Sequence, residues 1–212
     1  MIITFNGLQT FKIQFGDKII AVNPASKKSV NSKQSARFGA DVALVSLAHP
    51  DFNGFENNTK NGKEPFVIEG PGEYEVGGIT VIGFNSPAQY DGRGFNTIYT
   101  MRLEQMNLCF LGALNDINLS SDIFEKIDGV DILFVPIAGG NVLDPAEAYK
   151  LSIKLEAKLV IPCHYTSVKD ACVSEFLKES GEDKLTPIEK CTIKKRDLEG
   201  KNGEVKILSP LK

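Results

Sequence analysis

The chain is expected to fold as an α/β protein: an αββα sandwich in which two mixed β-sheets pack face to face and helices lie outside. Two patterns predict this. Apolar segments of strand length, separated by glycine- and asparagine-rich turns, dominate residues 2 to 111, and from residue 119 onward helical segments alternate with short apolar runs. Composition is the third observation. With 42% apolar and 24% charged residues over 212 positions, there is enough apolar side chain for a sizeable core. No stretch has the composition of a linker, so residues 1–212 are expected to form one domain.

Residues 2 to 22 carry three segments, Ile2–Phe5, Thr10–Phe15 and Lys18–Val22. Phe11, Ile13 and Phe15 alternate with Lys12 and Gln14, the pattern of a half-buried strand, and Gly16-Asp17 is a two-residue hairpin signal, so an antiparallel meander is expected. Ala25 to Arg37 is rich in Ser, Lys and Asn and has no acidic residue. It reads as a mobile surface loop, its four cations either solvated or facing an anionic ligand. The apolar run Val42–Val45 is a buried strand, and Pro50, Asn53 and Gly54 make the segment after it a loop. A loop at the end of a buried strand is where α/β enzymes place their chemistry. Asn53 to Lys63 is polar and reads as a loop.

From Pro65 to Ile79 a strand enters the turn Gly70-Pro71-Gly72 and a second strand leaves it. Glu73 and Glu75, two apart, would share a face, either as paired carboxylates for acid–base work or as polar anchors of the turn. Ile79–Phe84 is a strand, after which Asn85–Asp91 follows; Ile98–Leu103 and Asn107–Leu111 form a hairpin. Leu119–Ile127 reads as a helix capped by Asn118 or Ser120, and Val130–Val135 as a buried strand leading to Gly139-Gly140. Asp144, Pro145 and Glu147 have the spacing of N-cap, N1 and N3, opening a helix that runs to about Leu155. Lys158–Ile161 is a strand, Asp170–Ser180 a helix, and Cys191–Ile193 and Glu204–Leu208 are closing strands.

Several function classes are excluded by what is scarce. Net charge is −3 and the basic clusters Lys27-Lys28 and Lys194-Lys195-Arg196 are short and separated, which fits a solvated surface and not a nucleic-acid groove. No apolar run is long enough to span a bilayer, and Met1–Phe5 reads as a strand instead of a targeting segment, so a cytoplasmic protein is expected. The four cysteines, Cys109, Cys163, Cys172 and Cys191, form no CxxC pair and are expected to be free thiols. Cys163 and His164 are adjacent, so on an extended strand they would point to opposite faces and make a poor nucleophile–base pair. Only two histidines exist, His49 and His164, which restricts any metal or acid–base proposal to their surroundings.

Six segments carry a resemblance. Leu47-Ala48-His49-Pro50-Asp51-Phe52 follows the buried strand at the place of a His-x-His-x-Asp-His motif. Gly7-Leu8 and Phe11 stand in an opening of the type Trp-Leu-Gly-His-Ser-x-Phe, and Asn23-Pro24 where Asp-Pro is expected. Pro71-Gly72-Glu73-Tyr74-Glu75 and Arg93-Gly94-Phe95-Asn96-Thr97 match further strings, and Ile161-Pro162-Cys163-His164-Tyr165 matches a closing ligand segment. Over nearly its whole length the chain resembles the metallo-β-lactamase-fold superfamily of zinc-dependent hydrolases, in its lactonase-like subgroup.

That resemblance implies two metal positions and also what this chain lacks there. Leu8 and Leu47 replace histidines, Phe52 replaces another, Ala88 falls nearest to a fourth, and Ala113 replaces a metal-bridging aspartate in Leu111-Gly112-Ala113. Asp116 is three residues too late. His49, Asp51 and His164 remain as the implied metal ligands, a vestigial set split between two positions that each want about three protein ligands. The expected function is therefore a non-catalytic binding, scaffold or regulatory module, without a cofactor, for an unidentified protein or small-molecule partner, with a homo-oligomer left open. The alternative is a hydrolase of a small ester, lactone or phosphate with a reduced site, holding one zinc or other divalent ion or none, with Glu73 and Gly139-Gly140 in its lining. His49, Asp51 and His164 also have ordinary readings: a loop histidine bonded to backbone, a turn cap and a strand-end histidine. Leu8, Leu47 and Phe52 are expected to pack together and close the pocket.

Overall fold

The computed structural model describes residues 1–32 and 37–211. Its strands are β1 Ile2–Phe5, β2 Phe11–Phe15, β3 Lys18–Val22, β4 Val42–Val45, β5 Phe66–Glu69, β6 Gly72–Val76, β7 Ile79–Tyr90, β8 Arg93–Leu103, β9 Met106–Phe110, β10 Ile132–Pro136, β11 Leu159–Cys163, β12 Lys190–Thr192 and β13 Glu204–Val205. The helices are α1 Ser121–Ile127, α2 Pro145–Lys154 and α3 Ala171–Ser180. The strands form two mixed sheets, ordered β12-β1-β2-β3-β4-β5 and β13-β11-β10-β9-β8-β7-β6, with helices outside, as expected.

Each sheet is antiparallel on one side and parallel on the other. In the first, β1 pairs antiparallel with β12 and β2, whereas β3, β4 and β5 run parallel. In the second, β6 to β9 form a meander, and β9, β10, β11 and β13 run parallel. Every residue of β4, β10 and β11 is buried, as parallel strands covered on both faces must be. The sheets meet over aromatic contacts, including Phe11 against Phe134 with ring centroids 4.8 Å apart. Tyr99 on β8 crosses between them: its hydroxyl donates to the Val45 carbonyl at 2.9 Å and accepts from the Gly70 amide at 2.9 Å.

The helix signals act as read. Asp144 accepts from the Glu147 amide while Glu147 reaches back to the Asp144 amide, a complete capping box behind Pro145. Tyr149 of α2 meets Phe176 of α3 edge-on at 6.2 Å. On the outer face of the first sheet, Ala21 and Ala43 pack with Ala40, Phe38 and Phe55, the last from a single 3₁₀ turn at Phe55–Asn57 inside the segment read as loop. Small side chains on that face let this connection lie close to the sheet. Asp131, before β10, is buried and accepts from Lys158 and Lys195 at 2.8 Å each, fastening the parallel end of the second sheet.

One element differs from the sequence reading in a way that shapes the site. The strand read as Ile79–Phe84 does not end there, because β7 continues to Tyr90, paired with β8 and shifted in register between Pro87 and Tyr90. Burial alternates along that continuation, with Ser86, Ala88 and Tyr90 inward and Asn85, Pro87 and Gln89 outward. β6 pairs only with Ile79–Gly83 of this strand, so Pro87 lies on a free edge where its missing N–H breaks no ladder.

Candidate functional site

The site lies where β3, β4, β10 and β11 end, the edge at which open α/β sheets receive ligands. Three residues hold left-handed backbone there, Leu8 (φ 50°), Asn23 (φ 45°) and His164 (φ 68°), and such strain in non-glycine residues collects at functional positions. Leu8 and His164 are tied together: the His164 amide donates to the Leu8 carbonyl, and the Leu8 amide donates to the Tyr165 carbonyl at 2.8 Å. Gly112 passes so close that a Cβ there would stand 2.3 Å from Asn96 Oδ1. Neighbouring Ala113, at the bridging-aspartate position, uses its amide to donate to that same oxygen at 2.8 Å.

A single hydrogen-bonded chain crosses the site, and its directions follow from one backbone amide. The Ser46 N–H donates to Asn23 Oδ1 at 2.8 Å, which leaves Asn23 Nδ2 to donate to Gln9 Oε1 at 3.3 Å. Gln9 Nε2 then donates to the Gly112 carbonyl at 2.8 Å and faces His164 Nδ1 at 3.0 Å. Since Gln9 Nε2 has only protons to offer, Nδ1 is the acceptor and the neutral ring carries its proton on Nε2. That nitrogen stands 3.3 Å from the Tyr90 hydroxyl, and the hydroxyl donates onward to Asp51 Oδ2 at 2.6 Å. Asn31 Nδ2, at 2.8 Å, and the Ser29 hydroxyl complete the Asp51 carboxylate.

These contacts set the charges. Burial pushes the Asp51 carboxyl up, but hydrogen bonds from Ser29, Tyr90 and Asn31 outweigh it and hold the group below its ordinary value, so it is ionised. Burial, and then the bond to Asp51, pushes the Tyr90 phenol well above its usual range. Burial lowers His164 to about 4 against the partial opposition of Asp51, so it is neutral near pH 7. His49 accepts from the Asp51 amide on Nδ1 at 3.2 Å, and its Nε2 meets Asp91 at 3.2 Å. It is thus bonded to backbone, whereas Asp51 caps no turn through its side chain.

The structure therefore brings His49, Asp51 and His164 around one side chain, Tyr90, which the sequence reading did not single out. A cleft of about 460 Å³ opens there, its walls including Leu8, Tyr90, Gly139, Gly140, His164 and Thr166. Leu47 and Phe52 pack with Tyr90, Ala113 and Val142 as expected, but Leu8 is not in that cluster and lines the cleft instead. Ala88 is buried on β7. Glu73 and Glu75 do share a face, but it is exposed on β6 outside the cleft, so they are not an acid–base pair here. Cys163 is buried with its thiol pushed well above the usual range by burial, no nucleophile for His164. The Asp116 carboxylate is exposed and closes a local turn with Asn118.

The loop read as mobile and solvated is in part a wall of the site, since Ser29 and Asn31 hold Asp51; residues 33–36 of that reading, with Lys33, lie outside the described residues. Ser29 and Asn31 left no motif to find; Asn23, in Asn23-Pro24, and Gln9, next to Leu8, stand in segments that carry the resemblance, which gives them no role there. Tyr90 left only a local signal, its spacing of two from Ala88, because the alternation that starts at Ile79 changes phase between Gly83 and Ser86.

The superfamily's two-ion arrangement does not fit these residues. Leu8, Leu47, Phe52, Ala88 and Ala113 offer no lone pair, and among the described residues no three His, Cys, Asp or Glu side chains are placed to hold one ion. Two imidazoles and a carboxylate would be the right chemistry for a single ion. In this arrangement, however, the Tyr90 hydroxyl stands between Asp51 and His164: it engages Asp51 Oδ2, and His164 Nε2 carries a proton instead of a free lone pair.

A family profile described as a β-lactamase superfamily domain matches residues 2–164. A metal-dependent hydrolase of Listeria monocytogenes is 26% identical, the match spanning 79% of this chain and 86% of that protein. Another from Listeria innocua is 27% identical over the same shares. Among solved structures, a candidate zinc-dependent hydrolase of the metallo-β-lactamase superfamily from Thermotoga maritima superposes with a TM-score of 0.74 at 26% identity, covering 98% of this chain and 96% of that one. A structure from Parabacteroides distasonis shares the fold at 15% identity, with a TM-score of 0.66 and coverage of 99% and 93%.

Proposed function

Since the chain belongs to the metallo-β-lactamase superfamily, we propose that it is a hydrolase acting on a small ester, lactone or phosphate at the cleft beside His164. The observation that carries this is convergence. The three residues retained from the resembled ligand set meet one side chain from two separate loops: Asp51 and His164 contact the Tyr90 hydroxyl and His49 packs edge-on against its ring, beside a cleft of small-molecule size. The names of the relatives as metal-dependent hydrolases support the reaction class and suggest a single divalent ion, which could enter here only once the Tyr90 hydroxyl moves from between Asp51 and His164. In the arrangement described, the chain's own residues bind and orient. Asn31, Asn141 and Thr166 offer neutral polar groups to a substrate's oxygens, and Gly139 and Gly140 keep one wall free of side chains. The same reading takes residues 1–212 as one domain in the cytoplasm, with a small molecule as ligand and neither nucleic acid nor membrane as partner. No helix among the described residues is long and apolar enough to cross a membrane.

The test is a screen of lactones, carboxylic esters and phosphoesters with purified protein, with and without added zinc, manganese or iron. Hydrolysis of one class is expected, lost in His164→Ala. Activity unchanged in His164→Ala would exclude these residues as its source.

A second reading, a binding module without catalysis, is favoured by two observations. Leu47, Phe52, Ala113 and Val142 fill the space beside Tyr90 with apolar groups, and neither His164 nor Tyr90 has a proton affinity near neutrality, where a general acid or base works best. Under this reading no substrate class turns over with any ion, while cleft ligands still raise the melting temperature.

A further inference from the structure

The residues facing His164 are wired the opposite way from those that face a metal-binding histidine. A ligating imidazole gives one nitrogen's lone pair to the ion and donates its other N–H to a carbonyl or carboxylate. Here the nitrogen turned away from the cleft, Nδ1, meets a donor, the Gln9 amide at 3.0 Å. Gln9 cannot turn over. Its oxygen accepts from Asn23 and its nitrogen donates to the Gly112 carbonyl, and Asn23 is fixed in turn by the Ser46 amide. The proton is thereby driven to Nε2, the nitrogen that faces Asp51 across Tyr90. The Tyr90 hydroxyl suits that arrangement as an ion would not, accepting from Nε2 and donating to Asp51. Its ring is held by edge-on contacts with His49, Phe52 and His164, at centroid distances of 5.0, 5.1 and 5.6 Å.

We propose that Gln9 and Tyr90 together lock His164 in the tautomer that cannot ligate through Nε2, with the Tyr90 hydroxyl holding the place of a metal ion between His164 and Asp51. Both are positioning residues. The proposal rests on the reading of His49, Asp51 and His164 as the superfamily's ligand positions. It adds that the site is closed to ions in its resting form, and that opening it takes two changes: removal or rotation of the Tyr90 hydroxyl, and an acceptor in place of the Gln9 amide.

The chain has only two histidines, so long-range nitrogen–proton NMR of the imidazoles reads the tautomer directly in the intact protein. His164 is expected as the Nε2–H form at neutral pH, its pattern unchanged by excess zinc. In the double variant Tyr90→Phe with Gln9→Glu, the ring volume stays and a carboxylate faces Nδ1. There the proton is expected on Nδ1, with zinc bound about 10–100-fold more tightly than by the unaltered protein. Circular dichroism confirms that the variant is folded, and the unaltered protein carries the test if it is not. An Nδ1–H tautomer in the unaltered protein overturns the proposal, as does zinc shifting His164 there, or a folded double variant with no gain in zinc binding. Hydrolysis measured on the same samples separates the two readings. Turnover with an Nδ1–H ring would sink the lock and keep the hydrolase; an Nε2–H ring without turnover would do the reverse.

Discussion

Replacing Phe52 with alanine is expected to be among the most damaging single changes near the cleft. The side chain is 0% exposed and packs with Leu47, Tyr90, Ala113 and Val142. Deleting a fully buried phenylalanine ring costs about 3–5 kcal/mol, from lost transfer energy plus the cavity left behind. The upper half of that range applies here, because Phe52 meets Tyr90 edge-on at 88° and 5.1 Å, an aromatic pair worth about 0.5–1.5 kcal/mol beyond burial. Against a typical total of about 5–15 kcal/mol, the loss leaves a markedly less stable protein. The chain has no tryptophan, so urea unfolding is best followed by far-ultraviolet circular dichroism. Phe95→Ala is the control: that ring is 73% exposed and its loss should stay within about 0.5 kcal/mol. Phe52→Leu, which restores most of the volume, should cost less than about 1.5 kcal/mol. A loss below about 1 kcal/mol in Phe52→Ala would refute the view that this ring is part of the core beside Tyr90.

Three further outcomes follow from the contacts above. Burial lowers His164 from 6.5 to about 4, so the unfolded chain takes up a proton that the folded one refuses; stability is full above about pH 6.5 and declines toward pH 4, by up to about 3 kcal/mol. His164→Gln should flatten that slope in urea titrations at stepped pH, and an unchanged slope would count against a neutral His164. Burial raises Asp131, but hydrogen bonds from Lys158 and Lys195 outweigh it and leave the group below 3.8; its stabilisation is present above that pH and fades as acid protonates the folded form. Asp131→Asn should therefore be destabilised at pH 7, with the difference from the unaltered protein shrinking below pH 4. Tyr99→Phe strands the Val45 carbonyl and the Gly70 amide between the sheets and should cost about 1–3 kcal/mol, read as a lower urea midpoint at unchanged slope.

Much of this fold was legible because its signals are local. Alternation in Phe11–Phe15, unbroken apolar runs at Val42 and Ile132, and the spacing of Asp144, Pro145 and Glu147 each state a local geometry that packing had no reason to override. His49, Asp51 and His164 were legible as a set through the resemblance. Their surroundings were not, because Gln9, Asn23 and Asn31 are ordinary polar residues whose roles exist only after three loops meet. Tyr90 was missed for a different reason. The strand reading ends at Phe84, and Pro87 beyond it gives no strand signal, whereas the short partner β6 leaves that stretch of β7 an open edge that tolerates proline.

The pairing of β1 with β12 also bears on how the molecule comes together in time. Ile2 lies opposite Thr192, and Gln9 reaches a histidine 155 positions away. Contacts this distant in sequence must close a long loop before they return any stability, which slows folding relative to chains whose contacts are local. During synthesis the first strand leaves the ribosome long before its outer neighbour exists, with one row of backbone donors and acceptors exposed. Until residues near 190 arrive, that row is open to any passing strand, so a stalled or truncated chain should aggregate where the finished one does not. The proton chain through His164 is then among the last parts of the molecule to assemble, and a mutation that only delays late folding would silence the cleft without touching it.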